Sequence, residues 1–196
     1  MSDLDKLPEL VQRWNEGEQE VLDDIVELLY DDLRIIARRH LSFERDDHTL
    51  TTTALVHEAY VKLSERTGSV WQGRSQFFAL VSKVMRHLLI DYARRRHSLR
   101  RGGNEIHVPL DEGRAGVDSE LVELLSLDQA LDRLEERNER MARIVECRFF
   151  GGMPHAEIAE AIGVSTRTVE RDWMRARAYL YTLLVNDEPP NSTAPA

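Results

Sequence analysis

The sequence predicts an all-α protein of two small helical domains joined by a flexible linker. Apolar residues recur at three- and four-residue spacing over most of the 196 positions, the period of an amphipathic helix. No alternating run of strand type rivals them. Residues 101–119 hold four glycines and one proline among few large apolar side chains, which reads as the linker. The expected organisation is a first domain over 8–100, the linker over 101–119, a second domain over 120–185 and a disordered tail over 186–196. Each domain is long enough for a small core and neither for a large one.

Val21, Leu22, Ile25, Val26, Leu29, Leu33, Ile36 and Ala37 predict one amphipathic helix ending near His40. Residues 42–52 are a polar break. A second helix is expected from Thr53 to about Glu65, with Leu55, Val56, Ala59, Tyr60 and Leu63 apolar. Gly68 to Gly73 reads as a turn around Trp71. Ser75 is a suitable N-cap for a third helix, one long or two in succession, that carries Phe77, Phe78, Val81, Val84, Met85, Leu89 and Tyr92 into Arg94–Arg96. After the linker the helical period resumes near Glu120 and continues through Leu124, Leu131, Leu134, Ile144 and Phe149 to Gly151-Gly152. A short helix over Pro154–Ile162, a turn at Gly163 and a helix from Ser165 to about Leu184 complete the fold.

Charge is distributed in blocks. The net charge is −9, which argues against a protein that coats nucleic acid indiscriminately. Residues 1–32 alone sum to −9 and residues 105–139 to −8. By contrast, residues 86–101 sum to +5 and residues 164–181 to +2, all of the cations being arginines. Two basic patches on an acidic body suggest two anion contacts. At 42% hydrophobic and 31% charged residues the chain is too apolar to be disordered. No apolar run approaches the ~18–20 residues of a membrane span. No signal peptide is evident at the N-terminus. The lone Cys147 permits no internal disulfide, which fits a cytoplasmic location.

Residues 154–181 carry the sharpest local pattern. Small Ala159 suits a close helix crossing, Gly163 suits a left-handed turn, and Val164 plugs that turn. Ser165 caps the next helix, whose inner face is Val169, Trp173 and Ala176. This is the helix-turn-helix plan, in which the second helix enters the major groove. Thr166, Arg167, Thr168, Glu170 and Arg171 then face outward near its start. Arginine reads guanine bidentately, threonine meets a thymine methyl or a phosphate, and glutamate accepts from cytosine. Arg175 and Arg177, further along, suit phosphate.

The stretch Ala54-Leu55-Val56-His57-Glu58-Ala59-Tyr60-Val61-Lys62-Leu63 resembles the polymerase-binding helix of bacterial sigma factors, roughly D-L-V-Q-E-x-F-x-x-L. Phe77 to Arg96 resembles their promoter-melting segment, which ends in an aspartate followed by arginines. The C-terminal helix-turn-helix, preceded by Phe149-Phe150-Gly151-Gly152, looks like sigma region 4. This order of motifs over a short linker is similar to the extracytoplasmic-function (ECF) type of the sigma-70 family. The resemblance implies that residues 8–100 are region 2 and residues 120–185 region 4. It implies core RNA polymerase and promoter DNA as partners, with an anti-sigma factor a common further partner in the family, and no cofactor. By position, Leu55, His57, Glu58 and Tyr60 would bind polymerase. Arg86, His87 and Arg94–Arg96 would handle the −10 element. Ser165 to Thr168, Glu170, Arg171 and Arg175 would contact the −35 element. The family's acidic residues before the polymerase helix are replaced by Thr51–Thr53, its glutamine by His57, and the asparagine of its melting segment by His87.

Melted DNA is held by aromatic stacking and basic grooves, and Trp71, Phe77, Phe78 and Tyr92 lie near the arginines. Core packing is the competing use, favoured for Phe77 and Phe78 by their place in the apolar stripe. A stand-alone helix-turn-helix regulator is the alternative function, but it accounts only for residues 120–184. An enzyme has little support. His57-Glu58 lacks a second histidine at the required spacing, where Val61 stands, and Cys147 has no evident histidine partner.

Overall fold

The computed structural model describes residues 3–42, 50–65, 70–102 and 112–186, which form nine α-helices and no strand. After a 3₁₀ turn over Asp3–Lys6, helix α1 spans Leu7–Asn15. It precedes the first helix predicted, which begins at Val21, although Leu7, Val11 and Trp14 share one helical face and are buried. Pro8 sits in its first turn, where a missing N–H costs nothing.

The single helix predicted to end near His40 is two, α2 (Val21–Leu28) and α3 (Tyr30–Leu41). Leu29 leaves the helical region at φ −105°, ψ 11°. Neither proline nor glycine causes the break. It bends the pair around the core, with Leu29 fully buried between Leu22 and Ile25 on one side and Leu33 and Ile36 on the other.

Helix α4 spans Thr52–Ser64 and is capped by Thr51, whose Oγ1 accepts from the Ala54 amide at 3.2 Å. Helix α5 is one continuous helix over Arg74–Gly102. Ser75 lies inside its first turn and is not the cap. Its hydroxyl instead donates to Glu160 Oε2 at 2.9 Å, across to the C-terminal half.

Helix α6 spans Glu112–Arg137, so it begins within the segment read as linker. Gly113 and Gly116 each cost about 1 kcal/mol against alanine in a helix. Residues 103–111 and the tail over 187–196 lie outside the described residues. The helical run predicted through Phe149 is interrupted at Asn138, whose extended backbone and Oδ1, accepting from the Met141 amide at 3.0 Å, start α7 (Glu139–Val145). A π-helical turn, Glu146–Phe150, follows. Then come α8 (His155–Ile162) and α9 (Thr166–Asn186), with Gly163 between them at φ 71°, ψ 38°.

The largest apolar cluster joins α1–α5 to Ile144, Cys147, Met153, Ile158, Ala159 and Val169 of the C-terminal half. A second lies within that half, around Leu131, Leu134, Val145, Phe150 and Ala176. The halves therefore meet through a shared core. They approach closely at the Gly151-Gly152 corner, where a β-carbon on Gly151 would stand 2.5 Å from Ser82 Oγ and one on Gly152 would collide with the Arg39 guanidinium. His40 completes the seam. Its ring lies 5.3 Å from that of Phe150, and its Nε2 is 3.1 Å from the Ser82 carbonyl oxygen. Burial lowers its pKa to about 3, so the imidazole is neutral and donates through only one nitrogen.

Gly163 isolates the backbone cost of the helix-turn-helix turn, because a β-carbon there would meet nothing within 4 Å. Gly163→Ala is expected to lower stability by about 1 kcal/mol, from the left-handed backbone alone. A urea denaturation midpoint equal to that of the unsubstituted chain would contradict it.

Candidate nucleic-acid and polymerase interface

Helices α8 and α9 realise the helix-turn-helix. Ser165 Oγ accepts from the Thr168 amide at 3.2 Å and contacts the Thr168 hydroxyl at 2.9 Å, fixing the start of α9. Val169 and Ala176 are fully buried, so the opposite face of the helix is turned outward. Ser165, Thr166, Arg167, Glu170, Arg171 and Arg175 are exposed there and Thr168 is half-buried. Arg167, Arg171 and Arg175 recur every four residues and form one cationic stripe.

Beneath that stripe lies a charge the sequence did not reveal as structural. Asp172 is fully buried and forms an ion pair with Arg140 of α7, whose Nη2 approaches Oδ2 at 2.6 Å. It also accepts from Arg171 Nε at 3.2 Å. Burial pushes the carboxyl pKa up, but the hydrogen bonds from Arg140 and Arg171 outweigh it, leaving the pKa below the ordinary value. Asp172 thus docks α9 on α7 and restrains Arg171 at the edge of the exposed face.

The second basic patch has a different environment. Arg86 departs from the expectation of a DNA-facing cation, since it is 2% exposed and faces carboxylates of the C-terminal half. Its Nη1 lies 3.4 Å from Asp128 Oδ1, its Nε 3.2 Å from Glu146 Oε1, and its Nη2 3.8 Å from Asp132 Oδ1. Nη1 and Nε reach ion-pair distance but make no hydrogen bond. Burial raises the pKa of both Asp128 and Glu146 against the opposing pull of Arg86. Half-buried His87 has its Nε2 3.2 Å from Arg86 Nη2. Arg94 is exposed but donates to Asp128 Oδ2 at 3.0 Å. Arg95 is exposed, and its Nε donates to the Asp91 carbonyl at 3.2 Å. The Arg96 side chain lies outside the described residues. Trp71, Phe77 and Phe78 are buried with ring centroids 4.8 Å apart for Trp71–Phe77 and 6.2 Å for Phe77–Phe78, so packing is their use here.

On α4, His57 and Glu58 are exposed side by side. Half-buried Tyr60 stacks on His57 at 6.2 Å and donates its hydroxyl to Asp23 Oδ1 at 2.7 Å. Leu55 departs from the expectation of a contact residue. It is fully buried and supports the exposed face from beneath. Among the described residues no His, Cys, Asp and Glu cluster is arranged to hold a metal ion, and no helix is long and apolar enough to cross a membrane.

Fold and interface together define an all-helical protein of the helix-turn-helix class. The family model for ECF sigma factors matches residues 4–185, and the chain belongs to that family, whose members are transcription initiation factors. No curated protein matches the chain. Among solved structures it is similar to CnrH, determined in complex with the cytosolic domain of CnrY, at 20% identity over 91% of this chain and 97% of that one, with a TM-score of 0.40.

Asp128, Glu146, Asp172, Arg140 and His40 escaped the sequence reading as interface residues. The one available signal was the spacing of Asp128, Asp132 and Glu135, which puts three carboxylates on one face of α6.

Proposed function

We propose that the chain binds core RNA polymerase through the exposed face of α4, directs it to promoters through α9, and assists melting through the basic end of α5. The observation that carries this reading is the stripe of Arg167, Arg171 and Arg175, exposed over a buried Val169–Ala176 face in a chain of the ECF sigma family. In this reading Arg167 and Arg171 read bases and Arg175 meets phosphate. His57, Glu58 and Tyr60 dock on polymerase, with Leu55 and Ala59 setting their helix from below. Arg86, His87 and Arg94–Arg96 handle the melted region, Arg86 only after the halves separate. An anti-sigma protein, the further partner the family resemblance implies, would act on the same surfaces.

Run-off transcription with purified core polymerase on genomic fragments tests the proposal. Specific transcripts are expected only when the chain is present. Arg167→Ala or Arg171→Ala is expected to cost about 1–3 kcal/mol at the upstream element if the residue reads a base. Equal weakening on every sequence would assign that residue to phosphate. Arg94→Ala/Arg95→Ala/Arg96→Ala is expected to lower open-complex yield while sparing polymerase association. An unchanged yield would remove the melting role, and failure to co-purify with core polymerase would defeat the whole reading.

A further inference from the structure

The acidic face of α6 and the basic face of α5 run antiparallel and match in order. Lys83 Nζ meets Glu135 Oε1 at 2.9 Å, Arg86 lies between Asp132 and Asp128, and Arg94 meets Asp128 at 3.0 Å. As residue numbers rise on α5 they fall on α6. Glu146, from the π-helical turn, lies 3.2 Å from Arg86 Nε as well. Four carboxylates from the C-terminal half thus occupy three cations of the N-terminal half. The helix-turn-helix face is not covered in the same way, because Arg167, Arg171 and Arg175 remain exposed.

We infer that the Asp128–Asp132–Glu135 face of α6 is an internal stand-in for nucleic-acid phosphate, which keeps the halves together and withholds the α5 cations until nucleic acid displaces it. This rests on the reading of α5 as a nucleic-acid contact. The geometry suits a reversible latch. The pairs of Lys83 and Arg94 are partly solvated and therefore weak. Two of the buried Arg86 nitrogens make no hydrogen bond, so its desolvation is incompletely repaid. A cleft of about 590 Å³ lies at the same seam, lined by Leu80, Lys83, Arg143, Glu146 and Ile162 among others, so packing there is not continuous. Polyanionic DNA offers the same cations a denser row of charges.

The test uses the full chain carrying Asp128→Asn/Asp132→Asn/Glu135→Gln, near-isosteric changes that leave every proposed DNA contact in place. Labels on Lys62→Cys and Tyr181→Cys, both exposed, report the separation of the halves. Cys147 is buried, with its thiol pushed up to about 12, and does not compete for label. The probe is a fluorescent duplex with a central unpaired bubble. The variant is expected to show a longer or broader label distance and tighter probe binding. A gain of about ten-fold corresponds to a competent state populated at roughly one part in ten before substitution. Glu20→Gln/Asp24→Asn/Glu27→Gln removes the same charge from exposed positions at the cap and on the outer face of α2, none of them paired with α5 or α6 among the described residues, and is expected to leave both readouts near those of the parent. An equal gain in this control would overturn the inference in favour of a general charge effect. Unchanged distance and affinity in the α6 variant would overturn it while leaving the proposed function to the transcription assay. Opening without tighter binding would overturn both the inference and the nucleic-acid role of α5.

Discussion

Phe77→Ala is expected to destabilise the protein by about 3–5 kcal/mol, the range for truncating a fully buried phenylalanine. The ring is 0% exposed and packs against Trp71 and Phe78. Its cluster reaches from Leu7 in α1 to Val169 in α9, so the cavity would open in the core the two halves share. Relaxation is limited because long α5 is held on both sides, by α4 in the N-terminal half and by the Gly151-Gly152 corner in the other. Urea denaturation followed by helical circular dichroism checks the prediction. A loss below about 1 kcal/mol would mean that Phe77 is not a core residue in solution, since such values belong to exposed sites. Its stacking on melted bases, the competing use, would then regain force.

Asp172→Asn is expected to cost about 1–3 kcal/mol near neutral pH, the range for removing a hydrogen-bonded charge from a buried site. The cost falls short of that for an enclosed ion pair because Arg140 and Arg171 are about half exposed and regain water when unpaired. The pH dependence has a definite sign. The folded-state pKa lies below the ordinary value, so the stabilisation is fully present above about pH 4, the unfolded carboxylate value, and is lost as pH falls through the folded value. The unsubstituted chain should therefore show an acid-limb loss of stability that Asp172→Asn lacks in part. Identical limbs would contradict the assignment. The substitution also frees Arg171, so affinity for the upstream element should fall even where the variant remains folded.

Much of the fold was legible because helices announce themselves by period. The exposed face of α9 followed from Val169, Trp173 and Ala176 in the same way, for burying one side of a helix exposes the other. Helix ends were harder. The break at Leu29, a fully buried residue, reflects packing against other helices, which overrides local preference, and α6 starts among glycines that local preference alone would not place in a helix. Asn138 is a good cap, yet within a continuous apolar period nothing marked it as one until its backbone became extended.

The sequence by itself determined the helical class, the helix-turn-helix with its Ser165 cap and left-handed Gly163, and the family to which the order of motifs belongs. Each depends on residues close together in the chain, where spacing is geometry. Only the tertiary structure decided that Arg86 turns inward to Asp128 and Glu146, that Ser75 reaches Glu160, and that Asp172 holds α9 on α7. Those pairings join residues distant in sequence. Charge pattern shows that opposite signs exist along the chain, but attraction acts over a few ångströms, and the folded path determines which groups come that close.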